Sequence, residues 1–297
     1  MKKYIYTDLA FEGLNVEGNP FSTHRKKLAW GELFETKINT ERQARALGRP
    51  RGKYVTLMCE KMWLLDETSF DGLQRAITDV LLGMLVERVM IKKETLTLLV
   101  AGLGNDAFCV DAVGPRTAAG VCATRHLLSD ENTATHRFSL AAMAPSVLAN
   151  SGMEALEQVT GVCKAIGADA VLAVDALAAS HYERIGTTVQ IADSGICPGS
   201  GVGNARRALT KQTLGIPVIA IGVPTVVDAS TMICDALMRG GIKELTPSME
   251  AALSASQGLF VCPKESDLVT QSAAVLLAEA INALGGIKIE DTAYSEA

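Results

Sequence analysis

The run LTLLVAGL at residues 96–103 is apolar except for Thr97 and has glycine near its end. Such a run reads as a strand buried on both faces, so the chain must bring helices to both sides of a sheet. Further strand-like runs follow: KYVTLMC at 53–59, a weaker FSLAAMA at 138–144, AVLAVDAL at 170–177, TTVQIAD at 187–193 and IPVIAIGV at 216–223. Helical spacing separates them. Leu73, Ile77, Val80, Leu81 and Met84 fall on one helix face, residues 153–166 repeat the pattern, and residues 267–284 form an apolar-faced tail helix. Another helix is expected after Gly114–Pro115, because proline suits a first turn. Strands alternating with helices predict an α/β fold with a doubly wound, mostly parallel sheet in a three-layer αβα domain.

Residues 1–52 lack clear periodicity and carry many charges. They are expected to form an irregular N-terminal arm, with residues 53–297 as a single α/β domain. The chain has 297 residues and is 48% hydrophobic, so a substantial core can be buried. A net charge of -5 argues against a nucleic-acid partner, and the short cluster Arg49, Arg51 and Lys53 reads as a solvated loop. The N-terminus lacks the apolar core of a signal peptide, and no apolar run reaches the roughly 18 residues of a membrane span. A cytoplasmic protein without a membrane partner is the expectation. Seven cysteines without a CxxC pair suggest neither a disulfide framework nor a zinc knuckle. Most are expected to be small buried apolar residues.

In doubly wound sheets, ligands bind outside the carboxyl ends of the strands, where the winding reverses. Carboxylates collect at those ends in this sequence: Asp106 and Asp111 after the 96–103 run, Asp175 in the next, then Asp193, and Asp228 after the last. Two carboxylates brought close share a proton, so one can activate a water while the other protonates a substrate carbonyl. Spacing alone does not choose the pair, and a single strand-end aspartate commonly serves as a helix cap.

The glycines offer weaker alternatives. Gly102-Leu103-Gly104 opens like a dinucleotide fingerprint but has Ala107 where the third glycine belongs. Gly199, Gly201 and Gly203 precede no Lys-Ser or Lys-Thr of a phosphate-binding loop. Asp193-Ser194-Gly195 lacks the GxSxG context of a nucleophile elbow. The four histidines are scattered and read as surface or structural residues.

The segments AGLGN and DAVGP within 101–115, TRHLL at 124–128, MAPSVLANSGMEA at 143–155, AVDALAA at 173–179, ERIGTTVQIADSGICPGSGVGNARR at 183–207 and LGIPVIAIGVPTVVDA at 214–229 resemble the spore germination protease family in order and spacing. TDLAFE at 7–12, RGKYVTL at 51–57 and PKESD at 263–267 extend the resemblance over nearly the whole chain. It implies a cofactor-free aspartic endopeptidase that degrades small acid-soluble spore proteins in the forespore or spore core. It also implies a zymogen trimmed near its N-terminus, a homotetramer, and a fold similar to that of hydrogenase maturation peptidases. The family's two essential aspartates fall on Asp111, in DAVGP, and Asp175, in VDALA. Asn105, Asp193 and Cys197 are candidates for supporting that pair or binding substrate. TDLAFE resembles the family's processing site, which puts the propeptide cut between Asp8 and Leu9.

Three features depart from the family pattern. The segment within 233–261 is shorter than in relatives, Cys197 stands where many have histidine, and Asp106 and Ala107 replace the residues that usually follow GLGN. Two competing readings follow. One is a metal-dependent maturation peptidase of the hydrogenase-processing type, for which the sequence offers no well-placed third histidine ligand, only a Cys197 thiolate. The other is a binding or scaffold protein that has kept the fold without the activity.

Overall fold

The computed structural model describes residues 2–14, 23–89, 93–127, 136–197, 207–242 and 244–286. Nine strands among them form one sheet in the order β1-β2-β3-β7-β8-β6-β4-β5, with β9 also paired to β8. The glycine-rich stretch containing Gly199, Gly201 and Gly203 lies outside the described residues.

The half of the sheet containing β4 (Leu96–Gly102), β5 (Phe138–Met143), β6 (Ala170–Ala179) and β8 (Val218–Asp228) is parallel. These are the apolar runs, and in β4 and β6 all but one residue each are buried. Alternate side chains enter opposite cores. Leu98, Val100, Leu172 and Val174 meet α2 (Glu67–Arg88), α3 (Val113–Gly120) and α9 (Ser266–Gly285). Leu99, Ala101, Val171 and Ala173 meet Leu156, Val159 and Cys163 of α5 (Ala155–Ile166). This is the expected three-layer arrangement. After β4 the chain adds β5 on one side, then returns to place β6 on the other, so the winding reverses between β4 and β6.

The remaining half is antiparallel. β7 (Thr188–Ala192) runs against β8, β3 (Gly52–Cys59) against β7, and β2 (Gly31–Ile38) against β3. The region expected to be an irregular arm is therefore built into the sheet. β1 (Thr23–Leu28) and β2 form a hairpin, and β2 pairs with β3 along its whole length, so no break falls at residues 52–53. The hairpin escaped notice because β1 is THRKKL, nearly all exposed, while only Phe34, Thr36 and Ile38 of β2 are buried. Helix α1 (Glu41–Leu47) follows, started by a Thr40–Gln43 capping box and ended by Gly48 in the left-handed region.

The smaller elements are α4 (Leu148–Ser151), α6 (Lys211–Leu214), α7 (Ala229–Arg239), α8 (Pro247–Ser256) and β9 (Phe260–Val261). The sequence suggested no run of membrane-spanning length, yet α9 is long and apolar enough to cross a bilayer by length and composition. Here it is a core helix: Ala273, Leu276, Leu277, Ala280, Ile281 and Leu284 are fully buried. Burying each of its leucines is worth about 1.5–3 kcal/mol.

Candidate active site

Asp111 and Asp175 line one cavity where the winding reverses. The N–H of Leu103 donates to the Val174 carbonyl at 2.7 Å, carrying the β4–β6 ladder up to the residue before Asp175. The chain then turns at Gly104, whose φ is +115°. It folds back through a 3-10 turn, Cys109–Asp111, so that the Asn105 N–H donates to the Asp111 carboxylate at 2.8 Å. Thr225 of β8 clamps the turn from behind, donating its hydroxyl to the Val110 carbonyl at 2.6 Å. Asp175 is buried on β6, level with Gly222 of β8, and accepts the Ala176 N–H at 3.0 Å. Its side chain projects from the same sheet face as Ala173, the face that α5 covers farther down.

Both carboxylates line one cavity of about 650 Å³. Asp8, Arg49, Gln190 and Cys197 share its wall, and the exposed Phe108 and Leu259 flank it. A larger groove of about 710 Å³, beside the β1–β2 turn, includes none of the expected site residues.

The other acids at strand ends have separate roles. Asp193 does not line the cavity. β7 runs against its neighbours, so its carboxyl end points away from that of β6. There Asp193 accepts the Lys53 N–H at 2.8 Å and the Arg88 guanidinium at 2.7 Å, with its side chain only 1% exposed. That fork ties α2 to the β3–β7 junction. Asp228 caps α7, accepting from the N–H groups of Thr231 and Gly258. Asp106 is exposed, 3.8 Å from Arg116. Asn105 contributes twice: its backbone holds Asp111, and its side chain accepts the Ala107 N–H at 3.1 Å.

Cys197 is half-buried, and its thiol is pushed up first by burial and then by the charge of Asp8, so it stays protonated. A neutral thiol is a poor metal ligand. Among the described residues no three histidine, cysteine or acidic side chains are grouped to hold a metal ion. Of the other cysteines, Cys163 and Cys234 are the buried apolar residues expected, whereas Cys122 and Cys262 are exposed.

The N-terminal segment contributes Asp8 to the wall of the same cavity. The Asp8 N–H donates to the Ala178 carbonyl at 2.7 Å, and the Ala178 N–H donates back to the Asp8 carboxylate at 2.9 Å. Leu9 is 1% exposed, packed among Leu177, Ile185, Val227 and Val269. Sequence reasoning missed Arg49 and Gln190. Arg49 carried no signal, standing in a short charged run. Gln190 did: it is a polar residue inside the apolar strand TVQIA, where a side chain must find a partner.

A germination protease family model matches residues 31–250. The chain belongs to the germination protease family. It is 38% identical to the germination protease of Caldanaerobacter subterraneus subsp. tengcongensis, over 94% of this chain and 93% of that one. It is 31% identical to that of Clostridium acetobutylicum, over 94% of each. The germination protease of Priestia megaterium is 40% identical over 78% of this chain and 66% of its own length. Membership makes the chain a peptidase. Among solved structures, a nickel-iron hydrogenase maturation protease of Thermococcus kodakarensis is similar at 21% identity and a TM-score of 0.37, covering 70% of this chain and 99% of that one.

Proposed function

We propose that this chain is an endopeptidase that hydrolyses small acid-soluble spore proteins at germination, with Asp111 and Asp175 as its catalytic pair. The observation that carries this reading is the single cavity wall shared by the two carboxylates. Two such groups facing one cavity work best with one proton between them. The ionised member takes a proton from a water as it attacks the scissile carbonyl, and the protonated member gives its proton to the carbonyl oxygen. The tetrahedral intermediate collapses when the leaving amine is protonated by the acid formed in the first step. The enzyme acts in the cytoplasm of the forespore or spore core as a homotetramer, and neither a membrane nor a nucleic acid takes part.

The same reading makes the chain a zymogen that cuts itself between Asp8 and Leu9. Asp8 already stands on the cavity wall with the catalytic pair, which supports self-delivery. The expected result is a new N-terminus at Leu9, formed faster on mild acidification. The sign follows from the mechanism: raising the pH strips the shared proton and removes the acid, while lowering it restores the proton until the base is lost as well. Incubation across a pH series, with mass spectrometry and N-terminal sequencing, reads this. Trimming of the Asp111→Asn variant at the parental rate would assign the cut to another protease.

Peptide hydrolysis should be indifferent to strong chelators, because the donors around the pair do not make a metal site. Loss of activity with EDTA or phenanthroline, recovered on adding zinc or nickel, would replace the aspartate-pair mechanism with the metal-dependent one.

A further inference from the structure

The contacts made by residues 8–10 are those a peptidase needs to hold a substrate. Gln190 spans the Asp8–Leu9–Ala10 backbone: its amide donates to the Asp8 carbonyl at 3.0 Å, and its oxygen accepts the Ala10 N–H at 2.6 Å. These bonds read no side chain, so any extended peptide could make them. Arg49 lies 3.9 Å from the Asp8 carboxylate and also donates to the Thr7 carbonyl. Leu9 fills an apolar pocket built by residues far along the chain. Backbone clamp, cation and apolar pocket stand in register beside the catalytic pair. β4 ends opposite Val174, so the later residues of β6 lack β4 beside them and can pair with an extended segment, as Ala178 does with Asp8.

We propose that Gln190 and Arg49 are the substrate-reading residues of this peptidase. Gln190 grips the backbone around the scissile bond, and Arg49 selects an acidic residue on its amino side. The native N-terminal segment is then a bound peptide supplied by the chain itself, competing with substrates for the same contacts. This rests on the reading of the cavity as the peptidase site. The Asp8 carboxylate has a further partner in Tyr6, which donates its hydroxyl to it. Tyr6 belongs to the segment that a substrate would displace, so Arg49 is the charged partner left for an incoming peptide.

The test measures binding apart from hydrolysis. The full chain carrying Asp8→Ala, which removes the charge of its own docked segment whether residue 49 is basic or acidic, is titrated with fluorescein-labelled Thr-Asp-Leu-Ala-Phe-Glu and with the same peptide carrying lysine in place of aspartate. The acidic peptide should bind about tenfold more tightly than the lysine peptide, as expected for one desolvated charge contact. Adding Arg49→Glu should reverse that order. Adding Gln190→Ala should weaken both peptides by a similar factor, about tenfold for two hydrogen bonds, leaving their ratio unchanged. An unchanged ratio in the Arg49→Glu chain, failure of both peptides to bind, or undiminished binding in the Gln190→Ala chain would overturn the proposal. Binding as expected, with neither peptide cleaved by the parent chain, would leave this inference standing and remove the assignment of the pair as catalytic.

Discussion

Asp111→Asn and Asp175→Asn should each abolish peptide hydrolysis, by at least about a thousandfold, while the chain still folds. Each substitution keeps the shape of the side chain and removes its capacity to gain or lose a proton. The turn that carries Asp111 survives, because an asparagine oxygen can still accept the Asn105 N–H. Asp175 is buried, and exchanging a buried carboxyl for an amide adds no charge that must be desolvated. Melting temperatures should therefore stay within about 2 °C of the parent, equivalent to roughly 1 kcal/mol at this chain length. Asp193→Asn is the contrasting case. It breaks the ion pair with Arg88, so it should cost about 1–3 kcal/mol of stability and leave turnover near the parental value. Near-parental turnover in either the Asp111 or the Asp175 variant would acquit that residue.

The second large effect is expected at Gly104. A Cβ there would lie 2.0 Å from the Asp111 carbonyl oxygen, and the φ of +115° is one that side-chain-bearing residues avoid. Gly104→Ala must open the turn or distort its backbone, at a cost of about 3 kcal/mol or more. Either response moves Asp111 away from Asp175, so activity should fall by about a hundredfold even at a temperature where the variant remains folded. Gly152→Ala is the control. Its φ is +70°, nothing lies within 4 Å of the added methyl, and it stands outside the cavity. It should lose only about 1 kcal/mol and keep full turnover. Denaturant titration with activity measured on the same samples separates the two. If the two variants behaved alike, the close approach at Gly104 would not be what holds Asp111 in place.

The parallel half of the sheet was legible because burial on both faces leaves few polar residues in a strand, only Thr97 in LTLLVAG and Asp175 in AVLAVDALAA. The rule that sites lie at strand ends then drew attention to five acids, and only the family resemblance singled out Asp111 and Asp175 among them. Strand direction was not legible. TVQIA reads the same whichever way it runs, and its antiparallel placement carries Asp193 away from the other two acids. The hairpin in the first 52 residues stayed hidden because an edge strand such as THRKKL has almost no buried face to impose alternation. Arg49 was assigned to solvent because local composition cannot report a contact with a segment some 40 residues earlier, in this case the Thr7 carbonyl.

The pocket that receives Leu9 has a consequence for timing. Its walls come from Leu177, Ile185, Val227 and Val269, so the last of them leaves the ribosome some 260 residues after the leucine it will enclose. At synthesis rates of about 5–20 residues per second, that is an interval of tens of seconds. Until it ends, the seat of Leu9 is incomplete, and for the first part of it, before Ala178 is made, Asp8 has no strand to bond. A nascent or truncated chain cannot present its own cleavage site to its own carboxylates. Maturation, on the self-processing reading, is therefore gated by completion of the sheet, and a fragment ending before α9 should never acquire the trimmed terminus.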